Sequence, residues 1–134
     1  MLRRFVREFL TDQGCCASII DLMVLGIDEA CTNVIRYAYG NAPDQWMRLS
    51  LDRQGASIRC RLRDYGCHVD TCKMNGRELE VIRPGGLGLH LIRQAFDRAY
   101  YLRRPKGTEL VLVKSLRESM EASGPVLLPS HRAA

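Results

Sequence analysis

Four short stretches carry residue types and spacings that could do chemistry. In DEACTNVIRYAY, residues 28–39, Glu29 and Asn33 stand four apart, which puts them on one face of a helix. They are either two solvated polar groups or the working pair of a site. In RLRDYGCHVD, Asp64 falls where an alternating strand stops, two residues before Gly66. A carboxylate at a strand end can accept a hydrogen bond from an exocyclic amine such as that of adenine, and glycine permits close approach or a positive φ. The same Asp-x-Gly is also ordinary turn chemistry. In RPGGLGLHLIRQAF, Gly85, Gly86 and Gly88 lead into a helix. N–H groups exposed at a helix start, with glycines allowing close contact, make an anion cradle, although a tight loop-to-helix join uses glycines in the same way. In PKGTELVLVK, Thr108 opens a strand after a turn, as a plain β-former or as a hydroxyl beside a ligand.

The elements that must position these groups follow from hydrophobic period. Leu2, Phe5, Val6, Phe9 and Leu10 recur at helical spacing, so residues 2 to about 12 read as an amphipathic helix that Gly14 ends. Ser18 is the expected N-cap of a second helix running to about Tyr39, with Gly40 as its stop. Projected at about 100° per residue, Ile20, Val24, Ile27, Cys31, Val34 and Ala38 form one stripe, with Glu29, Asn33 and Arg36 on the other side. Leu22 and Leu25 share that other side, so the helix is expected to be covered there and the pair to face a cavity.

MRLSLD and IRCRLRD alternate apolar and polar residues, the mark of strands with one buried and one wet face, and RQG between them suits a hairpin turn. The arginine row Arg59, Arg61, Arg63 reads as the wet face. Residues 65–85 lack periodicity and read as a long lid-like loop. A third helix at about 88–97 and a second hairpin, RAYYLRR and TELVLVKS around PKG, complete residues 1–115 as one domain, with residues 116–134 as a flexible tail. The order is that of an α+β two-layer sandwich, a mostly antiparallel sheet with helices on one face.

The 134 residues suit one domain and carry a formal net charge of +5, which favours anionic partners without choosing among them. No basic run is interleaved with aromatics, so direct nucleic-acid binding is not expected. No apolar run is long enough to span a membrane, and MLRRFVREFL is no secretory signal, so the expected location is cytoplasmic and the six cysteines are expected to be reduced thiols. Cys67, His68 and Cys72 match no common zinc spacing and read as incidental loop residues.

Taken together and in this order, DEACTN, DYG, GGLGLHLIRQAFDRAYY and KGTELVLVK resemble the Bergerat-fold (GHKL) ATP-binding superfamily. More closely they resemble bacterial anti-sigma-factor serine/threonine kinases, over roughly residues 2–115. The resemblance implies that ATP and Mg²⁺ are the cofactors and that Asn33 holds Mg²⁺ between the nucleotide phosphates. It implies that Glu29 is the base orienting a hydroxyl for attack on the γ-phosphate. Asp64 would read the adenine amine with Gly66 and Thr108 beside it, and Gly86, Leu87 and Gly88 would form the lid hinge and phosphate cradle. Such a kit suffices, because phosphoryl transfer needs mainly positioning and charge neutralisation.

The chain departs from that pattern in three places. Tyr37 stands where these kinases often carry histidine, His68 replaces the second glycine of the fuller Asp-x-Gly-x-Gly box, and no strand precedes the first helix. The leading expectation is a protein serine/threonine kinase that phosphorylates an anti-sigma-factor antagonist and otherwise sequesters a sigma factor, with a homodimer possible. The alternative is a non-catalytic, ATP-responsive partner switch that holds a regulator. The ATP-binding half of a histidine kinase fits less well, since no helix with a phospho-accepting histidine precedes the domain within these residues.

Overall fold

A computed structural model describes residues 1–66 and 87–117. The expected elements appear in the expected order. Helix α1 spans Leu2–Asp12 and α2 spans Ala17–Asn33, followed directly by a π-helical turn at Val34–Ala38. Strands β1 (Met47–Gln54) and β2 (Ser57–Asp64) form the first hairpin. Helix α3 (Leu87–Ala95) leads into the second hairpin, β3 (Arg98–Arg103) and β4 (Thr108–Ser115). The expected loop and tail fall mostly outside the described residues, as do Cys67, His68, Cys72 and Gly86.

The four strands make one antiparallel sheet in the order β1-β2-β4-β3, so the two hairpins are joined through β2 and β4 at the centre. Period-two alternation sorts the side chains. Ile58, Cys60 and Leu62 of β2 are buried at 1% exposure or less, while Arg59, Arg61 and Arg63 lie on the open face, as their alternation requires. The helices cover the inner face. Val6 and Leu10 of α1, Ile20, Met23, Val24, Ile27, Ala30 and Cys31 of α2, and Ile92 and Ala95 of α3 join one core with Leu110 and Leu112 of β4. Leu116, just past β4, is buried in the same core, and its N–H bonds to the carbonyl of Ala56 at 2.7 Å.

Gly26 lets α2 and α3 cross closely. A Cβ there would meet Ala95 Cβ at 2.7 Å and the Phe96 ring at 3.0 Å. Arg3–Asp28 (2.6 Å) and Arg7–Asp21 (2.8 Å) bridge α1 to α2 at the surface, where such pairs stabilise by about 1 kcal/mol or less.

Two local expectations are corrected. The second helix starts two residues earlier than an N-cap at Ser18 would set. Its N-cap is Cys16, in extended backbone (φ −74, ψ 159), and the Ile20 N–H bonds to the Cys16 carbonyl at 3.0 Å. Ser18 therefore lies within the first turn, where its hydroxyl is 3.3 Å from the Cys16 sulfur. Leu22 and Leu25, expected to be covered, are 37% and 51% exposed. The helix is instead buried over one broad arc. Its second contact, made by Met23, Gly26 and Ala30, lies beside the sheet-facing stripe and not opposite it.

Candidate functional site

The buried polar or charged side chains among the described residues are Asp64, Thr108 and Glu109, all at one corner where β2 ends and β4 begins. Asp64 is 4% exposed. Its Oδ1 accepts the Gly66 N–H at 3.0 Å, and its Oδ2 accepts the Thr108 hydroxyl at 2.6 Å. No lysine or arginine side chain pairs with it among the described residues. A buried carboxylate held by two neutral donors keeps lone pairs to spare, because each oxygen can accept more than one hydrogen bond. It is therefore suited to a neutral donor such as an exocyclic amine. Glu109, on the open face, is ion-paired with Arg104.

Glycine is needed at this corner for space. A Cβ at Gly66 would sit 2.3 Å from the Ala38 carbonyl oxygen, so the strand end runs directly against the end of the long helix. Gly107 has φ +76, and a Cβ there would lie 2.0 Å from the Asp64 carbonyl oxygen. Sequence reasoning read Gly107 only as part of a turn. The signal available was its place immediately before Thr108, but the backbone it must clear lies more than forty residues away in the chain.

Tyr39 is a second residue that sequence reasoning missed. Its hydroxyl accepts the Tyr65 N–H at 2.8 Å and donates to the Trp46 carbonyl, tying the loop after the helix to the end of β2. The π-helical turn delivers it there: the Tyr39 N–H reaches back five residues to the Val34 carbonyl at 3.1 Å. The extra residue turns everything after Asn33 by about a quarter-turn relative to an α-helix, and such insertions are frequent at functional sites.

Glu29 and Asn33 stand one turn apart on α2, both half-buried. In helical projection they flank the edge marked by Gly26, beside the contact with α3. Neither makes a hydrogen bond or ion pair with another described residue, and Asn33 does not cap the π-turn through its side chain. Leu87 and Gly88 occupy the first turn of α3, so the backbone places the expected cradle residues at a helix N-terminus on the helix that packs beside Glu29 and Asn33.

Among the described residues, Asp64, Gly66 and Thr108 are thus brought into contact, while Glu29 and Asn33 form a separate pair. No cluster of three or more His, Cys, Asp or Glu side chains that could hold a metal occurs among the described residues, so a metal held through the Asn33 carboxamide would have it as its one amide oxygen ligand there. A site of that kind suits an ion that takes most of its oxygens from phosphates and water, as Mg²⁺ does. Cys31 and Cys60 are core thiols, not site nucleophiles. Burial pushes Cys31 up to about 11 and Cys60 higher still.

A family model described as a histidine kinase-like ATPase domain matches residues 1–114. The anti-sigma F factor of Anoxybacillus flavithermus (strain DSM 21510 / WK1) is 26% identical over 98 residues, covering 69% of this chain and 67% of that protein.

Proposed function

The chain belongs to the histidine kinase-like ATPase domain family, and from that premise we propose that it is an ATP-dependent protein serine/threonine kinase acting as an anti-sigma factor. Its substrate would be an anti-sigma-factor antagonist, and its second partner a sigma factor, a reading supported by the similarity to an anti-sigma F factor. It would work in the cytoplasm, and no helix among the described residues is long and apolar enough to cross a membrane. A homodimer is part of the proposal, as is the division into a domain of residues 1–115 and a separate tail.

In this reading Asp64, with Gly66 and Thr108, receives the adenine amine, and Gly86, Leu87 and Gly88 present backbone N–H groups to the phosphates. Asn33 holds Mg²⁺, which when bound neutralises phosphate charge. Glu29 accepts the proton of the substrate hydroxyl as that oxygen attacks the γ-phosphorus and the bond to the β,γ-bridging oxygen breaks, leaving ADP and a phosphoserine or phosphothreonine.

The observation that carries the enzyme reading is Glu29. It is a half-buried carboxylate, four residues before Asn33, that no hydrogen bond or ion pair among the described residues ties to a structural duty. A partner switch would need Asp64 and Asn33 but would give Glu29 nothing to do. The test is incubation of the chain with γ-labelled ATP, Mg²⁺ and a candidate antagonist. Label transferred to a serine or threonine of the antagonist is expected. If ATP changes partner binding and no label is ever transferred, the protein is a switch.

A further inference from the structure

The face of the sheet that the helices leave open has its own architecture. Cross-strand register sets Arg48 opposite Arg63 and Ser50 opposite Arg61. Facing like charges are unfavourable unless something compensates them. Two of the cations on this face are compensated. Arg59 holds Asp52 through two hydrogen bonds of 3.0 and 2.8 Å, which keeps the Asp52 carboxyl below the usual range, and Arg104 holds Glu109.

The others are not. Among the described residues Arg63 donates to backbone carbonyls, including those of Lys106 (2.6 Å) and Thr108 (3.3 Å), and lies 4.4 Å over the Tyr65 ring, but no carboxylate pairs with it. Arg48 has no carboxylate partner among the described residues. Arg61 Nε is shielded from solvent and has no hydrogen-bond partner among the described residues. A buried unsatisfied donor on a charged group is unfavourable, and the Arg61 side chain lines the cavity where an anion could pair with its charge. Arg48, Ser50, Arg61, Arg63 and Arg104 line a cavity of about 240 Å³.

A second cleft, of about 700 Å³, opens beside it and shares Arg48 and Tyr65. Its walls are Tyr39, Trp46, Met47 and Leu49, with Lys106 at the rim. Trp46 is 79% exposed, and a large aromatic left in water beside tyrosines and arginines has the composition of an interface hot spot.

We propose that these two continuous clefts form a docking groove for an acidic protein segment with a bulky apolar anchor. The anchor sits against Trp46 and Tyr39, and the carboxylates bond Arg61, Arg48 and Arg63. Asp52 and Glu109 interrupt the positive stripe, which disfavours a continuous phosphate backbone, and an excess of like charge disfavours a second copy of the same face. The groove shares neither Glu29 nor Asn33, although Tyr39, Tyr65 and Arg63 bring it up to the Asp64 corner.

The chain has one tryptophan, so intrinsic emission reports the cleft directly. The probe is an unlabelled glutamate-rich peptide with a central Leu–Phe pair, with a lysine-rich counterpart as control. The glutamate peptide is expected to shift Trp46 emission to the blue saturably, with affinity falling steeply as salt rises. Arg61→Gln is expected to weaken it roughly tenfold, while Glu29→Gln leaves it unchanged. The proposal is overturned by any of four results. These are no shift, equal binding to the Arg48→Gln/Arg61→Gln double variant, equal competition by duplex DNA, or a dimer in sedimentation that the double variant dissolves.

Discussion

At the Asp64 corner, side chains and backbone from three distant parts of the chain are locked together. The carboxylate holds Gly66 and Thr108, Gly66 runs against Ala38, and Gly107 runs against the Asp64 carbonyl. Along α2, Glu29 and Asn33 owe their juxtaposition to helical spacing alone, and no described residue bonds to either. The corner is therefore structure and, on the proposed reading, binding surface at once, and no bond among the described residues gives the helix pair a structural duty. Substitutions that add bulk at the corner are expected to disturb fold and ligand together, whereas isosteric ones there and substitutions on the helix are expected to separate chemistry from fold.

The sharpest test of that contrast is Glu29→Gln. Phosphoryl transfer to the antagonist is expected to fall by roughly 10²-fold or more, the usual worth of a positioned general base. Melting temperature and Mg²⁺-ATP affinity should stay near wild type. A comparable loss of ATP binding would show that Glu29 belongs to the binding machinery and would erase the contrast.

Asp64→Asn comes next. The amide keeps an oxygen for the Gly66 N–H, and the Thr108 hydroxyl can turn to accept from the new NH₂, so the corner is expected to hold. The nucleotide loses a charged acceptor, and calorimetry should show ATP affinity reduced more than tenfold, about 1.5–3 kcal/mol. Unchanged affinity would remove Asp64 from the site.

Gly66→Ala reads the structural side of the same corner. Its Cβ meets backbone, not a movable side chain tip, so the expected destabilisation is about 1–3 kcal/mol, as for overpacking elsewhere. Thermal unfolding several degrees below wild type would agree, and an unchanged midpoint would show that the helix end yields.

The mildest is Leu25→Gln. With the side chain 51% exposed, stability should move by no more than about 0.5 kcal/mol. A larger drop would mean that this face of α2 is covered after all.

What the sequence disclosed follows the same division. Glu29 and Asn33, the alternating strands and the glycine stops depend on neighbours within a few residues, and their patterns are legible in the chain. The four described strands also follow, since each is an alternating run within the chain. The requirement for Gly107, the anchoring of Tyr39 and the π-turn are set by contacts between β2, β4 and the helix end, which no local window contains. The reading of Leu22 and Leu25 erred for a related reason: a projection shows which residues share a side but not how far the neighbouring helix reaches. Trp46 and the unsatisfied Arg61 belong to a face whose alternation looked complete as a solvated surface.

The central pairing of β2 with β4 has a consequence for how the protein comes into being. The first sixty-six residues hold both long helices, the first hairpin and Asp64, yet they contain neither Gly107 nor Thr108. During synthesis this early portion emerges with the Asp64 carboxylate lacking its Thr108 donor and its inner sheet face half-built. On the proposed reading, the adenine corner is complete only once β4 pairs with β2, so a chain cut before Thr108 is expected to lack a finished site.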